Sequence, residues 1–242
     1  MKSFLLSLLS ILSFAQNSAI KIEIDSITSS DSIPTERKFT INYHIENLTD
    51  NDISFFLNPT VLTPNSRASM SKNVIYNLYQ YDEKLDMDGV FTNRRRIDFD
   101  NKVQSVKSDA ERDKLYKEFF MSDLNMNLDS IVKGDKSEKE INDYFLKGNS
   151  KELLKSIMTI ASKKTSHYKI EVIWNKKRYH KIDNIEFYLN EDIPHYIDFT
   201  LNLMREEFKD KLTPDDYQQI ITNPNFIKGW YTSNRVEINF KE

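Results

Sequence analysis

The sequence lacks cysteine altogether and contains only four glycines. The absence of thiols excludes disulfides, thiolate zinc sites, iron–sulfur clusters and cysteine nucleophiles together. So few glycines leave little material for the glycine-rich loops that bind phosphate groups. Basic and acidic residues nearly balance, at 34 and 37, and the net charge of -3 gives no electrostatic argument for nucleic-acid binding. Several large function classes are therefore excluded before any motif is considered.

The beginning of the sequence carries an export pattern. One lysine precedes an apolar run over residues 4–14, which is about 11 residues long and too short to cross a hydrocarbon core of roughly 30 Å. Ser13 and Ala15 place small residues where a signal peptidase would cut. We therefore predict a signal peptide at residues 1–15 and a mature chain that is periplasmic or secreted. No cysteine follows the run, so no lipid anchor is expected, and no later apolar run is long enough for a transmembrane segment.

Alternation of apolar and polar residues with a period of two dominates both ends of the mature chain, and this pattern is typical of half-buried strands. A hydrophobic content of 39% with 12% aromatics is enough to fill a core. Residues 48–52 are dense in turn formers, so we expect the strands on either side to form an antiparallel pair. The predicted strands cover residues 20–24, 39–45, 53–57, 74–78, 168–174, 185–189, 197–203 and 236–240.

The middle of the chain favours helices instead. The Ser-x-x-Glu pattern at residues 108–111 is a capping box, and Ser150 is a candidate N-cap for a further helix. We therefore expect two or three helices between residues 108 and 164. Nearer the C-terminus, Thr213 followed by Pro214 predicts a short helix that begins with a capping hydroxyl and a proline.

Two segments resemble immunoglobulin-like β-sandwiches. Residues 38–58, a strand, a turn and another strand, resemble their B–C hairpin, and residues 229–238, Gly-Trp-Tyr-Thr-Ser-Asn-Arg-Val-Glu-Ile, resemble their closing F–G strands. The sequence is similar in these segments to exported bacterial immunoglobulin-like sandwich proteins. The resemblance implies a mainly β, antiparallel, immunoglobulin-like sandwich that carries a helical insertion at about residues 108–164. Because no linker rich in Pro, Gly or Ser interrupts the chain, we predict that residues 16–242 form one domain.

The residues that usually ligate metals show no motif spacing. None of the four histidines stands one helical turn or one alternate strand position from another, so no local metal pair and no cofactor are expected. A histidine ligand set assembled from distant positions stays open. The acidic segment at residues 86–89 fails as a calcium loop, because Lys84 and Arg95 would fall where oxygen ligands are needed.

Catalytic motifs are equally hard to find. The sequence contains no G-x-S-x-G nucleophile motif. The basic run at residues 94–96 lies among aspartates, which favours local charge pairing over phosphate binding. We therefore predict a non-enzymatic protein, with a hydrolase built from scattered carboxylates as the enzymatic alternative.

Aromatic residues offer the best candidates for a binding surface. Tyrosine and tryptophan rings on a sandwich surface can stack on sugars or peptides, although core packing is the commoner role of such rings. Our main hypothesis is an exported protein that binds a protein or cell-surface component through loops or a free strand edge. The alternatives are a carbohydrate-binding module that uses surface Tyr and Trp, and a proteinase-inhibitor-like sandwich suggested by the B–C hairpin. The candidate surface residues are Tyr79, Tyr81, Trp230 and Tyr231.

Overall fold

The computed structural model describes residues 18–65, 72–85, 90–124, 138–176, 180–182, 185–187 and 189–241. The predicted signal peptide at residues 1–15 and the predicted turn at residues 86–89 lie outside these ranges. Where the chain is described it is mainly β with a few helices, as the sequence predicts, and its sheets are antiparallel and mixed.

The first sheet has four strands, and its hydrogen-bonded pairs are antiparallel. The strands are β1 (Ile20–Ile33), β2 (Glu36–Asn47), β7 (Phe91–Thr92) and β9 (Thr165–Asn175), in the spatial order β1-β2-β9-β7. Half-buried and buried residues alternate along the whole of β2, as its period-two pattern predicts. Strand β1 forms one edge of the sheet and, among the described strands, pairs only with β2.

The second sheet has six strands and is mixed, because β4 runs parallel to β5. This parallel pair departs from the wholly antiparallel sheet that the sequence predicts. Strands β13 and β14 both pair with the same edge of β12. The strands are β4 (Asn58–Pro64), β5 (Asn73–Gln80), β6 (Glu83–Leu85), β12 (His195–Leu203), β13 (Gly229–Thr232) and β14 (Val236–Ile238).

Two short strand pairs and the helices complete the described chain. β3 (Ile53–Phe56) pairs with β8 (Ile157–Ile160), and β10 (His180–Ile182) pairs with β11 (Ile185–Phe187). The helices are α1 (Arg94–Ser105), α2 (Asp109–Leu124), α3 (Glu138–Leu154) and α4 (Pro214–Thr222), with a 3-10 helix at Glu206–Lys211. As predicted, Thr213 caps α4, since its side chain accepts a hydrogen bond from the Asp216 amide.

The two large sheets share one hydrophobic cluster. The ring of Tyr43 in β2 meets the ring of Phe199 in β12 edge to face, with centroids 5.4 Å apart. The apolar faces of these two strands therefore meet inside the protein. The buried residues that the two strands contribute are Phe39, Ile41, Tyr43, Ile45, Ile197, Phe199, Leu201 and Leu203.

The predicted hairpin between β2 and β3 is wrong. Strand β2 pairs with β1 and β9, whereas β3 pairs with β8. The buried side chain of Asn47 explains the change of direction, because its amide donates hydrogen bonds to the carbonyl groups of Ile160, Ala161 and Asn51. These hydrogen bonds hold the end of β2 against β8. The chain after Asn47 therefore does not fold back to pair with β2. Residues 229–238 likewise form no hairpin, since β13 and β14 each pair with β12.

The predicted helical insertion has different limits in the structure. Helices begin at Arg94 rather than near residue 108, so the basic run at 94–96 opens α1 instead of lying in a loop. The predicted N-cap Ser150 lies inside α3 and is buried. Residues 157–160, which were expected to continue a helix, form β8, because their backbone groups pair with the edge offered by β3.

Candidate functional site

A groove of about 280 Å³ lies where the free edge of β1 approaches the edge strand β13. Polar and apolar groups line it in about equal measure, and one of its residues, Trp230, is 63% exposed. We call this feature the edge groove. Its lining residues are Ser18, Ile20, Lys21, Ile22, Leu48, Trp230, Tyr231 and Thr232.

The backbone of β1 offers hydrogen-bonding groups to this groove. One step further along the strand, the Ile24 amide donates to Asn234 Oδ1 at 2.7 Å, and Asn234 Nδ2 donates to the Ile24 carbonyl at 3.1 Å. A side-chain amide thus occupies the place that a neighbouring strand would take at Ile24. Backbone groups of alternate residues point the same way in an antiparallel strand, so the amide and carbonyl of Ile22 and the amide of Ile20 face the groove. The Ile20 carbonyl already accepts a hydrogen bond from the Ser18 hydroxyl.

The structure separates the four predicted surface aromatics into two pairs. Trp230 and Tyr231 lie on β13, opposite Asn202 and Leu201 of β12. Tyr79 lies opposite Tyr196 near the other end of β12, about 20 Å away at roughly 3.3 Å per strand residue. The four rings therefore do not form a single binding platform.

Within the β13 pair, the two rings have opposite environments. The Trp230 side chain is exposed, whereas Tyr231 packs against the main hydrophobic cluster. Burial raises the pKa of the Tyr231 phenol, whose hydroxyl donates to the Lys228 carbonyl at 3.2 Å. Gly229 precedes them with φ +136, and a Cβ atom there would approach the Tyr231 ring to 3.3 Å, so glycine is required at this position.

At the other end of the sheet, Tyr79 belongs to a polar network. Its hydroxyl donates to Asp198 Oδ2 at 2.8 Å, and Asn77 Nδ2 donates to the other carboxylate oxygen at 2.6 Å. The guanidinium of Arg235 stacks over the Tyr79 ring, 3.6 Å from its centroid. Burial and the bond to Asp198 raise the pKa of the Tyr79 phenol. The neighbouring Tyr81 is 58% exposed, so Tyr81 is the accessible ring of this pair.

Two histidines that are distant in sequence meet on the outer face of the first sheet. His44 of β2 lies directly opposite His167 of β9, and their ring centroids are 5.5 Å apart. His44 Nδ1 lies 2.7 Å from Asp25 Oδ1, and His167 Nδ1 lies 3.9 Å from Asp25 Oδ2. We call Asp25, His44 and His167 the histidine cluster. Their ligand atoms all lie within 4.8 Å of one another, a proximity that histidine spacing in the sequence cannot reveal.

A third histidine, His195, lies in a different environment. His195 is buried at the start of β12 and packs against Phe240, with ring centroids 5.2 Å apart. Burial lowers the pKa of its imidazole. His195 is therefore part of the core.

A surface depression of about 490 Å³ lies beside α3 and the beginning of α4. Two lysines of α3 and Lys155, which follows the helix, line it together with Leu154, Thr213 and Asp216. The Asp216 carboxylate accepts hydrogen bonds from the hydroxyls of Ser150 and Thr213, both at 2.6 Å, and these bonds lower its pKa. The acid at this helix N-terminus thus stabilises the joint between α3 and α4.

Comparison with known proteins gives no relative from which a role could be transferred. The chain matches no protein-family model, and no curated protein or solved structure shows significant similarity to it. Among the described residues, no helix combines the length and the apolar character that crossing a membrane requires.

Proposed function

We propose that the chain is an exported, non-enzymatic β-sandwich protein that binds an extended segment of a partner protein in the edge groove. The observation that carries this proposal is the free edge of β1, where the Asn234 side chain already bonds the backbone of Ile24 as a strand would. The next outward-facing backbone groups, at Ile22 and Ile20, line the groove. An added strand would continue this row of hydrogen bonds.

The side chains around the groove suit such a partner. Main-chain hydrogen bonds give a β-addition site its affinity, while pockets for alternate side chains give it specificity. Trp230 is 63% exposed at the groove, and an accessible tryptophan is among the commonest energetic hot spots of protein interfaces. Leu48, at 37% exposure, adds apolar surface on the side of β1. We infer that the bound segment presents at least one apolar side chain to these two residues.

The proposed architecture is a two-layer sandwich of the four-stranded and six-stranded sheets. Its support is the single hydrophobic cluster to which both sheets contribute. The segments that resemble immunoglobulin strands pair differently here, so the proposal keeps the sandwich and not the immunoglobulin strand order. The proteinase-inhibitor alternative loses its basis with the same hairpin.

Export remains part of the proposal on the strength of the apolar run at residues 4–14 and the small residues Ser13 and Ala15. Mass spectrometry of the protein from its native host should give a mature N-terminus at or near Gln16. Recovery of the intact N-terminus at Met1 from the cytoplasm would overturn this part.

Carbohydrate binding is the second candidate, because a tryptophan as exposed as Trp230 can also stack on a sugar ring. The two candidates differ in their use of the backbone. A stacked sugar needs the ring and leaves the β1 edge unchanged, whereas an added strand must bond the outward backbone groups of β1.

Amide hydrogen exchange on the mature chain distinguishes the candidates. A partner is first captured from envelope extract with the mature chain as bait. The Ile22 amide should exchange quickly in the free protein and slowly in the complex with this partner. The Ile24 amide, already bonded to Asn234, serves as the internal reference. Trp230→Ala should abolish capture, while Tyr81→Ala removes an equally exposed ring far from the groove and should not.

The outcomes that would contradict the proposal are equally specific. Capture that survives Trp230→Ala but is lost in Tyr81→Ala would move the site to the other end of the sheet. Saturable polysaccharide binding that depends on Trp230, with no new protection of the Ile22 amide, would establish the carbohydrate reading instead.

A further inference from the structure

We propose that the histidine cluster binds a divalent transition-metal ion, and that zinc is the ion it suits best. This site lies on the outer face of the first sheet and is independent of the edge groove. Two imidazoles and one carboxylate form a ligand set that zinc commonly takes, with the remaining coordination position left to water. Mg²⁺ and Ca²⁺ prefer oxygen ligands, so a site with two imidazole ligands suits these ions less well.

Strand register brings the nitrogen ligands together. Glu23, His44 and His167 are directly opposed residues on β1, β2 and β9, and they form one row across three strands. Directly opposed side chains on one face of a sheet lie close enough to bind the same metal ion. His44 is held in this row with its side chain only 17% exposed, whereas the His167 side chain is 73% exposed.

A β-bulge supplies the third ligand. Ile24 pairs with Tyr43 and Ser26 pairs with Asn42, which leaves Asp25 as the extra residue of β1. A bulge redirects the side chain of its extra residue, and here the carboxylate contacts both histidines from one side. The Asn234 amide holds the backbone of Ile24 next to the bulge, so the position of Asp25 is fixed from the edge of the sheet.

The three ligand side chains need to move only a short distance to enclose a metal ion. Ligand atoms bound to one tetrahedral zinc lie about 3.3 Å apart, given bonds of about 2.0–2.1 Å, and the ligand atoms here lie within 4.8 Å. The His167 side chain is 73% exposed, which leaves room for its ring to rotate toward Asp25. Binding would replace the direct contact between Asp25 and His44, which lie 2.7 Å apart, with bonds to the metal ion.

A further carboxylate lies beside the histidine cluster. Glu23 Oε2 lies 3.6 Å from His44 Nε2, on the side of the ring opposite Asp25. Metal-bound imidazoles usually have such a carboxylate near their second nitrogen, where it orients the ring. Two lysines of this face pair with carboxylates, Lys21 with the same Glu23 oxygen and Lys169 with Glu171.

Calorimetric titration of the metal-free mature chain with zinc chloride tests the proposal. We expect one zinc per chain. Asp25→Asn, His44→Gln and His167→Gln should each weaken binding by at least about tenfold, since loss of an outer-shell partner alone costs about 10–100-fold. Glu171→Gln removes a carboxylate from the same strand as His167 and should leave the affinity unchanged.

Proton NMR of the unaltered protein gives a readout that does not depend on the variants folding. Zinc should shift the ring signals of His44 and His167, while the signals of His180 and His195 stay in place. Zinc should also raise the melting temperature, because it binds the folded chain. Absence of zinc binding, or binding that shifts His180 instead and survives all three cluster substitutions, would overturn the site.

Discussion

The ion pair between the buried Arg37 and the partly exposed Asp31 should make the stability of the protein depend on pH. The Arg37 guanidinium, only 5% exposed, donates from Nε and Nη2 to the two Asp31 carboxylate oxygens, both at 2.6 Å. Its third nitrogen donates to the Lys241 carbonyl at 2.5 Å. Lys176 Nζ adds a contact of 2.8 Å to the same carboxylate. The pair therefore joins the β1–β2 hairpin to the C-terminal end of the chain.

We expect Asp31→Asn to lower the free energy of unfolding by about 3 kcal/mol at pH 7. Breaking a buried ion pair costs about 3–5 kcal/mol, and here the buried Arg37 guanidinium would lose its carboxylate while keeping its bond to the Lys241 carbonyl. We expect a cost at the lower end of this range because the Asp31 side chain is 30% exposed and because asparagine keeps one acceptor oxygen.

The direction in which the pKa of Asp31 is shifted determines the pH range over which its stabilising effect is lost. Hydrogen bonds from Arg37 and Lys176 hold the pKa of Asp31 far below its ordinary value. A carboxylate whose pKa is lower in the folded state stabilises the protein above the unfolded pKa, near 4, and loses that effect as the pH falls further. The difference between wild type and Asp31→Asn should therefore stay constant from pH 7 to about pH 5 and shrink below pH 4.

Urea unfolding, followed by the fluorescence of the buried Trp174, measures this difference at each pH. Asp50→Asn is the matched control, because the Asp50 side chain is 90% exposed and its pair with Lys163 at 3.1 Å lies in solvent. That substitution should change stability by less than about 1 kcal/mol. A cost for Asp31→Asn no larger than for Asp50→Asn, or a difference that persists undiminished to pH 2, would refute the reasoning.

Two further substitutions test the core and one helix. Leu201→Ala, at a fully buried position of β12, should cost about 2–5 kcal/mol through lost burial and the remaining cavity, while Asn42→Ala on the outer face of β2 should stay within about 0.5 kcal/mol. Equal costs in chemical denaturation would show that the assignment of faces is wrong. Thr213→Ala should lower stability by about 1 kcal/mol through loss of the α4 cap, with Thr232→Ala, an exposed strand threonine, as the comparison in the same melts. No difference between these two threonines would contradict the capping role.

Sequence periodicity predicts the strands of this protein better than their partners. The alternation over residues 39–45 correctly gives both the strand and its buried face, because burial of one face acts on each residue locally. Partner choice depends on distant contacts, as the Asn47 amide and the β8 backbone show. The same limit explains the wrong helix at residues 157–160, where pairing with β3 outweighs local helical spacing.

The histidine cluster was out of reach of motif spacing for the same reason. His44 and His167 meet only because β2 and β9 are neighbours in one particular register. One signal was nevertheless present in the sequence. The apolar alternation at Ile20, Ile22 and Ile24 resumes at Ile27 rather than one residue earlier, and such a change of phase is typical of a β-bulge.

Deletion of single residues from β1 would test whether that change of phase is what places Asp25. Removing Asp25 restores an unbroken alternation, because Ile24 and Ser26 then occupy successive positions opposite Tyr43 and Asn42. The inward isoleucines keep their faces, so stability should stay within about 1 kcal/mol of wild type, while zinc binding should be lost.

Removing Glu23, two residues earlier, is the matched control. That deletion interrupts a regular ladder and turns the residues before it to the opposite face. Ile20 and Ile22, now buried at 2% and 4%, would become exposed, at a cost of about 3–6 kcal/mol for two isoleucine side chains. Thermal melts of both deletion variants decide the matter, because only a true bulge makes the loss of Asp25 milder than the loss of its neighbour. If the two deletions prove equally destabilising, β1 has no extra residue at Asp25, and the carboxylate would have to reach the histidines in some other way.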